Sequence, residues 1–144
     1  MNRICFVCLG NICRSPMAEF ILKQKLKENN IDNIIVESRA TSYEEEGNDT
    51  YYKAKQVLDK NNIKYTKRES TRLEKEDLNK YDVIYYMDDS NLYNIKRILG
   101  ESNKYKKLST KDIEDPWYTN NFDKVFEEID EACNKILDTI KNSK

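Results

Sequence analysis

No histidine occurs among the 144 residues, and glycine appears three times, proline twice and tryptophan once. Without imidazole, and with Cys133 far from the other three cysteines, the chain lacks the four suitably spaced donors of a zinc site. No apolar run approaches the ~20 residues that a bilayer-spanning helix needs. The apolar stretch at the N-terminus resembles a signal-peptide core, but Asn11 and Arg14 end it too soon. Neither sign of charge dominates: 25 Lys+Arg against 26 Asp+Glu leave a net charge of −1. Such a balance calls for neither nucleic acid nor an anionic membrane as a partner. No internal repeat, linker or low-complexity tract interrupts the chain. The expectation is one domain over residues 1–144, long enough to bury a core without disulfide staples. It is expected in the cytoplasm, where thiols stay reduced.

One short segment concentrates the chemistry. Arg3-Ile4-Cys5-Phe6-Val7 is apolar and rich in β formers, and reads as a central parallel strand. It runs directly into Cys8-Leu9-Gly10-Asn11-Ile12-Cys13-Arg14-Ser15, and a helical run starts at Pro16. A loop placed there suits an anion. The first N–H groups of a helix have no intrahelical acceptor, and the aligned peptide dipoles add positive potential at that end. A curled loop above them adds further inward N–H groups. Gly10 fits such a curl because it accepts unusual φ/ψ, and Asn11 is one of the few other residues that tolerate the left-handed region. Pro16 fits the first helical turn, and Ser15 before it is a candidate N-cap.

Cys8 at the strand end and Arg14 six positions later complete the pattern. A free thiol has a pKa near ~8.5, and a helix N-terminus and a neighbouring cation both lower it. Arg14 supplies the cation, and the Ser15 hydroxyl is placed to donate to the thiolate. The planar guanidinium holds two phosphoryl oxygens at once, which a lysine cannot do. Cys8 is therefore the candidate nucleophile, and Leu9, Gly10, Asn11, Ile12, Cys13 and Ser15 are candidate phosphate-binding residues. Cys5 and Cys8 are formally Cys-x-x-Cys. A thioredoxin-like pair would start a helix, whereas Cys5 lies inside a strand and reads as a small buried hydrophobe.

Elsewhere strands and helices alternate. Met17 to Asn29 reads as a helix with an apolar stripe through Ala18, Leu22 and Leu26. Ile34 to Ser38 reads as a second strand, Tyr51 to Lys60 as a short helix and Glu74 to Asn79 as a helical turn. A third strand follows at Val83 to Met87, then a helix from Asn91 to Leu99 stopped by Gly100. Lys106 to Leu108 reads as a short edge strand. Phe122, Val125, Phe126, Ile129, Cys133, Ile136 and Ile140 keep helical spacing and form the core stripe of a last helix. The acidic loop from Thr41 to Thr50 reads as solvated surface. Lys64 to Arg72 is basic without a period, and Ser109 to Asn121 is a loop containing Asp115-Pro116. This order predicts a three-layer α/β fold with a central four-stranded parallel β-sheet flanked by helices and a phosphate-binding loop after strand 1. Function belongs at the carboxyl ends of the strands, where Cys8, Ser38 and Asp88 fall.

Cys8 to Ser15 resembles, residue for residue, the signature of the low-molecular-weight protein tyrosine phosphatases. Ser38-Arg39-Ala40-Thr41, Met87-Asp88-Asp89-Ser90-Asn91 and Asp115-Pro116-Trp117-Tyr118 match further elements in order along nearly the whole chain. The resemblance implies a cysteine-dependent phosphatase that needs no metal or organic cofactor and acts on tyrosine-phosphorylated proteins. Cys8 would form a phosphocysteine, Arg14 would hold the equatorial oxygens, and Asp115 would protonate the leaving oxygen and then activate water. Trp117 and Tyr118 would wall the cleft and stack on the aryl group. Asn11, Ser15 and Ser38 would form a supporting network, with Asp88 a structural support. The expected assembly is a monomer or a weak dimer.

The chain departs from the pattern in two places. Arg68 stands where many relatives carry a histidine, and Tyr43-Glu44-Glu45-Glu46 replaces an aromatic, usually tryptophan, after the Ser38 region. Two other activities share the loop. A protein-arginine phosphatase tends to carry threonine at the position of Ile12, and a bulky Ile12 favours a flat aryl group over a guanidinium. An arsenate reductase of this kind uses further cysteines in mid-chain, and none lies between Cys13 and Cys133. A non-catalytic phosphotyrosine-binding module would lack a nucleophile or an acid, and both are present. Cys13 is either a packed cysteine or a partner for a reversible Cys8–Cys13 disulfide under peroxide.

Overall fold

The computed structural model describes residues 1–143. Its strands are β1 (Arg3–Cys8), β2 (Ile35–Ala40), β3 (Val83–Tyr86) and β4 (Tyr105–Lys107). Its helices are α1 (Arg14–Glu28), α2 (Tyr52–Lys60), α3 (Asp77–Lys80), α4 (Asp89–Leu99), α5 (Pro116–Thr119) and α6 (Phe122–Asn142). The strands form one all-parallel sheet in the order β2-β1-β3-β4. Strand β1 is central, and its near-continuous apolar run follows from burial on both faces. Ile4, Phe6 and Cys8 point to the layer of α1, α2 and α6. Cys5 and Val7 point to the layer that carries α3 and α4. The three-layer α/β arrangement expected from the sequence is the one observed.

The first layer holds the larger core. Helix α6 buries Val125, Ile129, Cys133, Ile136 and Ile140 on one face, and α1 buries Met17, Ala18, Ile21 and Leu22. Each fully buried aliphatic side chain contributes about 1.5–3 kcal/mol, so this seam anchors the helix that follows the β1–α1 loop. Among the described residues, no helix is long and apolar enough to cross a membrane.

Element boundaries differ from the sequence reading where side chains decide them. Helix α1 begins at Arg14 rather than Pro16, so Ser15 lies inside its first turn. Cys13 occupies the N-cap position, with no side-chain cap. The expected Ser15 cap does not form because that hydroxyl is engaged by the loop. Strand β2 continues to Ala40, which pairs with Cys8, so Ser38 lies within the strand rather than at its end. Helix α4 starts earlier than expected because Asp88 caps it: Asp88 Oδ1 accepts from Asn91 N at 2.8 Å, and Asn91 Oδ1 accepts from Asp88 N at 3.2 Å. Gly100, at φ 86°, ends it. Helix α5 is an addition inside the expected 109–121 loop, where Asp115 is the N-cap and Pro116 the first helical residue. The turn near residue 74 becomes helical only from Asp77, and β4 sits one residue earlier than expected.

Candidate active site

The loop between β1 and α1 is tied down by its carbonyl groups. Cys8 O accepts from Thr41 N at 3.0 Å, Leu9 O from Ser42 N at 3.1 Å, Ile12 O from Tyr51 N at 2.9 Å and Cys13 O from Met17 N at 3.1 Å. Gly10 O accepts from Ser70 Oγ at 2.8 Å and Asn11 O from Arg68 Nη1 at 2.9 Å. Every carbonyl from Cys8 to Cys13 is thus engaged. The N–H groups from Leu9 to Arg14 donate to no acceptor among the described residues. The same residues line one open cleft with Cys8 at its floor. Six unpaired N–H groups on residues that line one cleft form a ready anion cradle.

Asn11 organises the floor. It adopts φ 59°, as its place in the curl predicts. Gly10 does not share that conformation. A Cβ there would sit 3.4 Å from Glu45 Cγ, an ordinary contact with a flexible side chain, so neither a positive φ nor close packing requires glycine at this position. Asn11 Oδ1 accepts from Arg68 Nη2 and from Thr71 N at 3.2 Å. Its amide nitrogen donates to Ser15 Oγ at 2.7 Å and Ser38 Oγ at 3.0 Å. Ser15 Oγ therefore keeps its own hydrogen for the Cys8 sulfur at 3.0 Å, and the Ser15 N–H lies 3.4 Å from that sulfur. Ser38 passes its hydrogen on to Glu19 Oε1 at 2.5 Å. The expected trio of Asn11, Ser15 and Ser38 is brought together, with Arg68, Thr71 and Glu19 added.

Arg14 is 2% exposed. Its Nη1 donates to Asp88 Oδ2 and to Ile113 O, both at 2.7 Å, and its Nη2 lies 3.6 Å from Asp115 Oδ2. Burial opposes the guanidinium charge, but Cys8, Asp88 and Asp115 outweigh it, and the Arg14 pKa rises above its ordinary value. Asp88 divides its work: one oxygen caps α4 and the other holds Arg14. Asp115 divides its own likewise. Oδ1 accepts from Trp117 N at 3.1 Å, which leaves Oδ2 turned toward Arg14. Met87 O accepts from Ile113 N at 2.9 Å and so pins this loop to the end of β3.

Trp117 and Tyr118 stand on the rim, not in the core. Trp117 rests against the Tyr51 ring at 4.7 Å between centroids, and both rim residues line the cleft. Glu44 and Glu45 line it too, which corrects their reading as plain solvated surface. Asn48 Nδ2 holds Glu45 Oε2 at 2.6 Å. The four cysteines are free. Desolvation raises the pKa of Cys5 and Cys133. It raises that of Cys13 as well, with Cys8 and Asp115 adding to the effect. Thiols whose ionisation is opposed in this way are poor nucleophiles.

Sequence reasoning missed Glu19, Ser70, Thr71 and the backbone of Ile113. Only Glu19 left a trace. It lies four residues after Ser15 and four before Lys23, on the buried side of α1, and a carboxylate there requires donors.

Residues 3–144 match the family model described as "Low molecular weight phosphotyrosine protein phosphatase". The chain is 40% identical to the low molecular weight protein-tyrosine-phosphatase PtpA of Staphylococcus epidermidis over 97% of its own length and 94% of that protein. Its structure resembles that of YfkJ from Bacillus subtilis with a TM-score of 0.93 and 30% identity, covering 100% of this chain and 97% of that one. It also resembles SP-PTP, a low molecular weight protein tyrosine phosphatase from Streptococcus pyogenes. There the TM-score is 0.87 and the identity 35%, over 96% of this chain and 93% of that one.

Proposed function

The chain belongs to the low molecular weight phosphotyrosine protein phosphatase family, and from that membership we propose that it hydrolyses phosphotyrosine in protein substrates through Cys8. The observation that carries the assignment of residues is the loop itself. Its carbonyls are all engaged by flanking segments, and its N–H groups are free beside a buried sulfur.

The Cys8 thiolate attacks phosphorus in line with the scissile P–O bond. An S–P bond forms as that bond breaks, and the Asp115 carboxyl gives its proton to the departing phenolic oxygen. The ionised Asp115 then takes a proton from water. The water oxygen bonds to phosphorus, the S–P bond breaks, and inorganic phosphate and the thiolate are regenerated. The N–H groups from Leu9 to Arg14 and the free edge of Arg14 hold the three equatorial oxygens throughout. This preorganised positive potential is what lowers the barrier. Ser15 steadies the thiolate as it leaves phosphorus. Trp117 and Tyr118 flank the aryl ring, and Ile12 narrows the base of the cleft toward a flat group. Residues 1–144 act as one domain. A reducing cytoplasmic setting, where thiols stay reduced, suits a thiolate nucleophile.

The test is phosphate release from phosphotyrosine, phosphoserine and phosphoarginine peptides side by side, with Cys8→Ser as control. Release from the phosphotyrosine peptide, lost in the variant, is the expected result. Preference for phosphoarginine would overturn the role of Ile12, and equal turnover of phosphoserine would overturn the aryl selectivity.

A further inference from the structure

A second cleft, about 390 Å³ in volume, lies between the residue after β2, the 72–76 segment and α4, and shares no residue with the catalytic cleft. Arg72, Lys75 and Arg97 line it, with Glu74 and Glu76. None of the three cations is ion-paired among the described residues. Glu74 Oε1 accepts from the Tyr43 hydroxyl at 3.5 Å, and Arg97 Nη1 donates to Asn94 Oδ1 at 3.3 Å. Arg72 is held at one corner. Its Nη1 donates to Leu73 O at 3.1 Å and to the Tyr43 hydroxyl at 3.3 Å, and the guanidinium lies 4.5 Å over the Tyr43 ring. Its Nε is buried without a partner. The Thr41 hydroxyl, on a residue 8% exposed, is buried without one too. Two of the three unpartnered buried side-chain atoms among the described residues thus belong to this one cleft. Buried polar groups are nearly always satisfied, and an exception points to a missing ion or water. An arginine Nε–H can only donate, so its partner is an acceptor. Three unpaired cations favour an anionic one.

We propose that this second cleft is an accessory site for a phosphate-type oxyanion, gripped by Arg72 and the Thr41 hydroxyl and neutralised by Lys75 and Arg97. The Nε and Nη2 hydrogens of an arginine form a side-on fork that holds an oxyanion through two parallel bonds. In Arg72 both bonds in use come from Nη1, so this fork is uncommitted. It is shielded where the guanidinium lies on Tyr43, and a rotation of the side chain over that ring opens it to the anion. The site adjoins the catalytic loop without entering it. Thr41 N donates to Cys8 O at 3.0 Å, and Tyr43, beneath Arg72, precedes the two glutamates that line the catalytic cleft. The oxyanion has two sources, free inorganic phosphate and a second phosphoryl group on the same substrate. The site itself stands apart from the phosphatase reading; only the second source rests on it.

The unaltered full chain is titrated with inorganic phosphate against matched chloride. NMR follows the side-chain Nε–H signals of Arg72 and Arg97 and the backbone amides of Leu9 to Arg14. The two arginine signals are expected to move along one saturation curve. An Arg72 signal that stays fixed throughout the titration would overturn the site, whatever the loop amides do. Movement of Arg72 with fixed loop amides would support the site and remove the phosphate-loop reading instead. Arg72→Met is expected to weaken the binding read at Arg97 by roughly 10-fold or more, the size of lost hydrogen bonds to a charged group, with the loop curve unchanged. Equal binding at Arg97 in protein and variant would overturn the role of Arg72, and the titration of the unaltered chain stands even where the variant does not fold. The sources are separated by kcat/KM for a phosphotyrosine peptide with and without a neighbouring phosphoserine. A preference for the doubly phosphorylated peptide that Arg72→Met abolishes assigns the site to the substrate. Equal values, with phosphate still moving Arg72, assign it to the free anion. A preference that survives Arg72→Met would overturn the substrate source.

Discussion

Cys8 and Arg14 are 3% and 2% exposed, whereas Trp117 and Tyr118 on the same cleft are 48% and 76% exposed. The floor is held by bonds from β2, α2, the 68–71 segment and the 113 backbone, so its geometry exists before substrate binds. The rim is held mainly by one helix of four residues and one ring contact. Phosphoryl transfer needs fixed donors, since their value lies in costing no reorganisation during reaction. Recognition of a protein side chain tolerates a looser wall. The contrast therefore separates groups that should govern turnover from groups that should govern which substrate is turned over.

The sharpest way to break that division is at the floor. Cys8→Ser should abolish turnover while the cradle still binds inorganic phosphate, read by activity and by calorimetry; persisting turnover would end the covalent scheme. Asp115→Ala should slow the reaction by roughly 10²–10⁴-fold with a poor leaving group. The loss should shrink with an acidic phenol, and a uniform loss across phenols would argue against proton donation. Moving to the rim, Trp117→Ala should raise KM for aryl phosphates by about 3–10-fold, the worth of an aromatic contact, with kcat little changed. The pair Glu44→Lys and Glu45→Lys should shift preference from peptides with basic residues beside the phosphotyrosine to peptides with acidic ones, measured as a ratio of kcat/KM values. An unchanged ratio would leave these carboxylates without influence on substrate.

The smallest effect concerns stability beside the rim. Glu114 has its pKa lowered from 4.5 to about 2 because Lys124, Thr119 and Asn121 donate to it. A depressed carboxyl pKa stabilises the fold above the unfolded value and loses that contribution as pH falls through the folded one. Glu114→Gln should therefore lower Tm slightly at neutral pH, with the difference vanishing as pH drops from 4.5 toward 2. High salt should reduce it as well.

The floor was legible in the sequence because its parts are contiguous. Cys8 to Ser15 carries the proposed nucleophile, the bend and the guanidinium within one strand-loop-helix junction, and α6 declares itself by period. The straps were not legible, because Arg68 and Asn11 are 57 residues apart and Ser70 and Gly10 are 60 apart. An extended segment that bonds through single residues leaves no periodic trace. Gly10 and Asn11 both permit a positive φ, and composition alone does not say which adopts it. Helix α5 was hidden by its length, although Asp115-Pro116 is a helix-start pair. Glu44 and Glu45 read as surface because a run of glutamates usually is, and only the path of the 41–50 loop over Gly10 places them on the cleft.

The central claim is that turnover passes through phosphorus bonded to the Cys8 sulfur. Rapid acid quench during turnover of a phosphotyrosine peptide, followed by peptide mapping, reads this directly. Asp115→Ala with an acidic phenol ester serves to slow the second step and accumulate the adduct. A phosphoryl group on Cys8 that forms and decays at the rate of turnover is the expected result. Turnover with phosphate on another residue, or with no covalent adduct under these conditions, would contradict it.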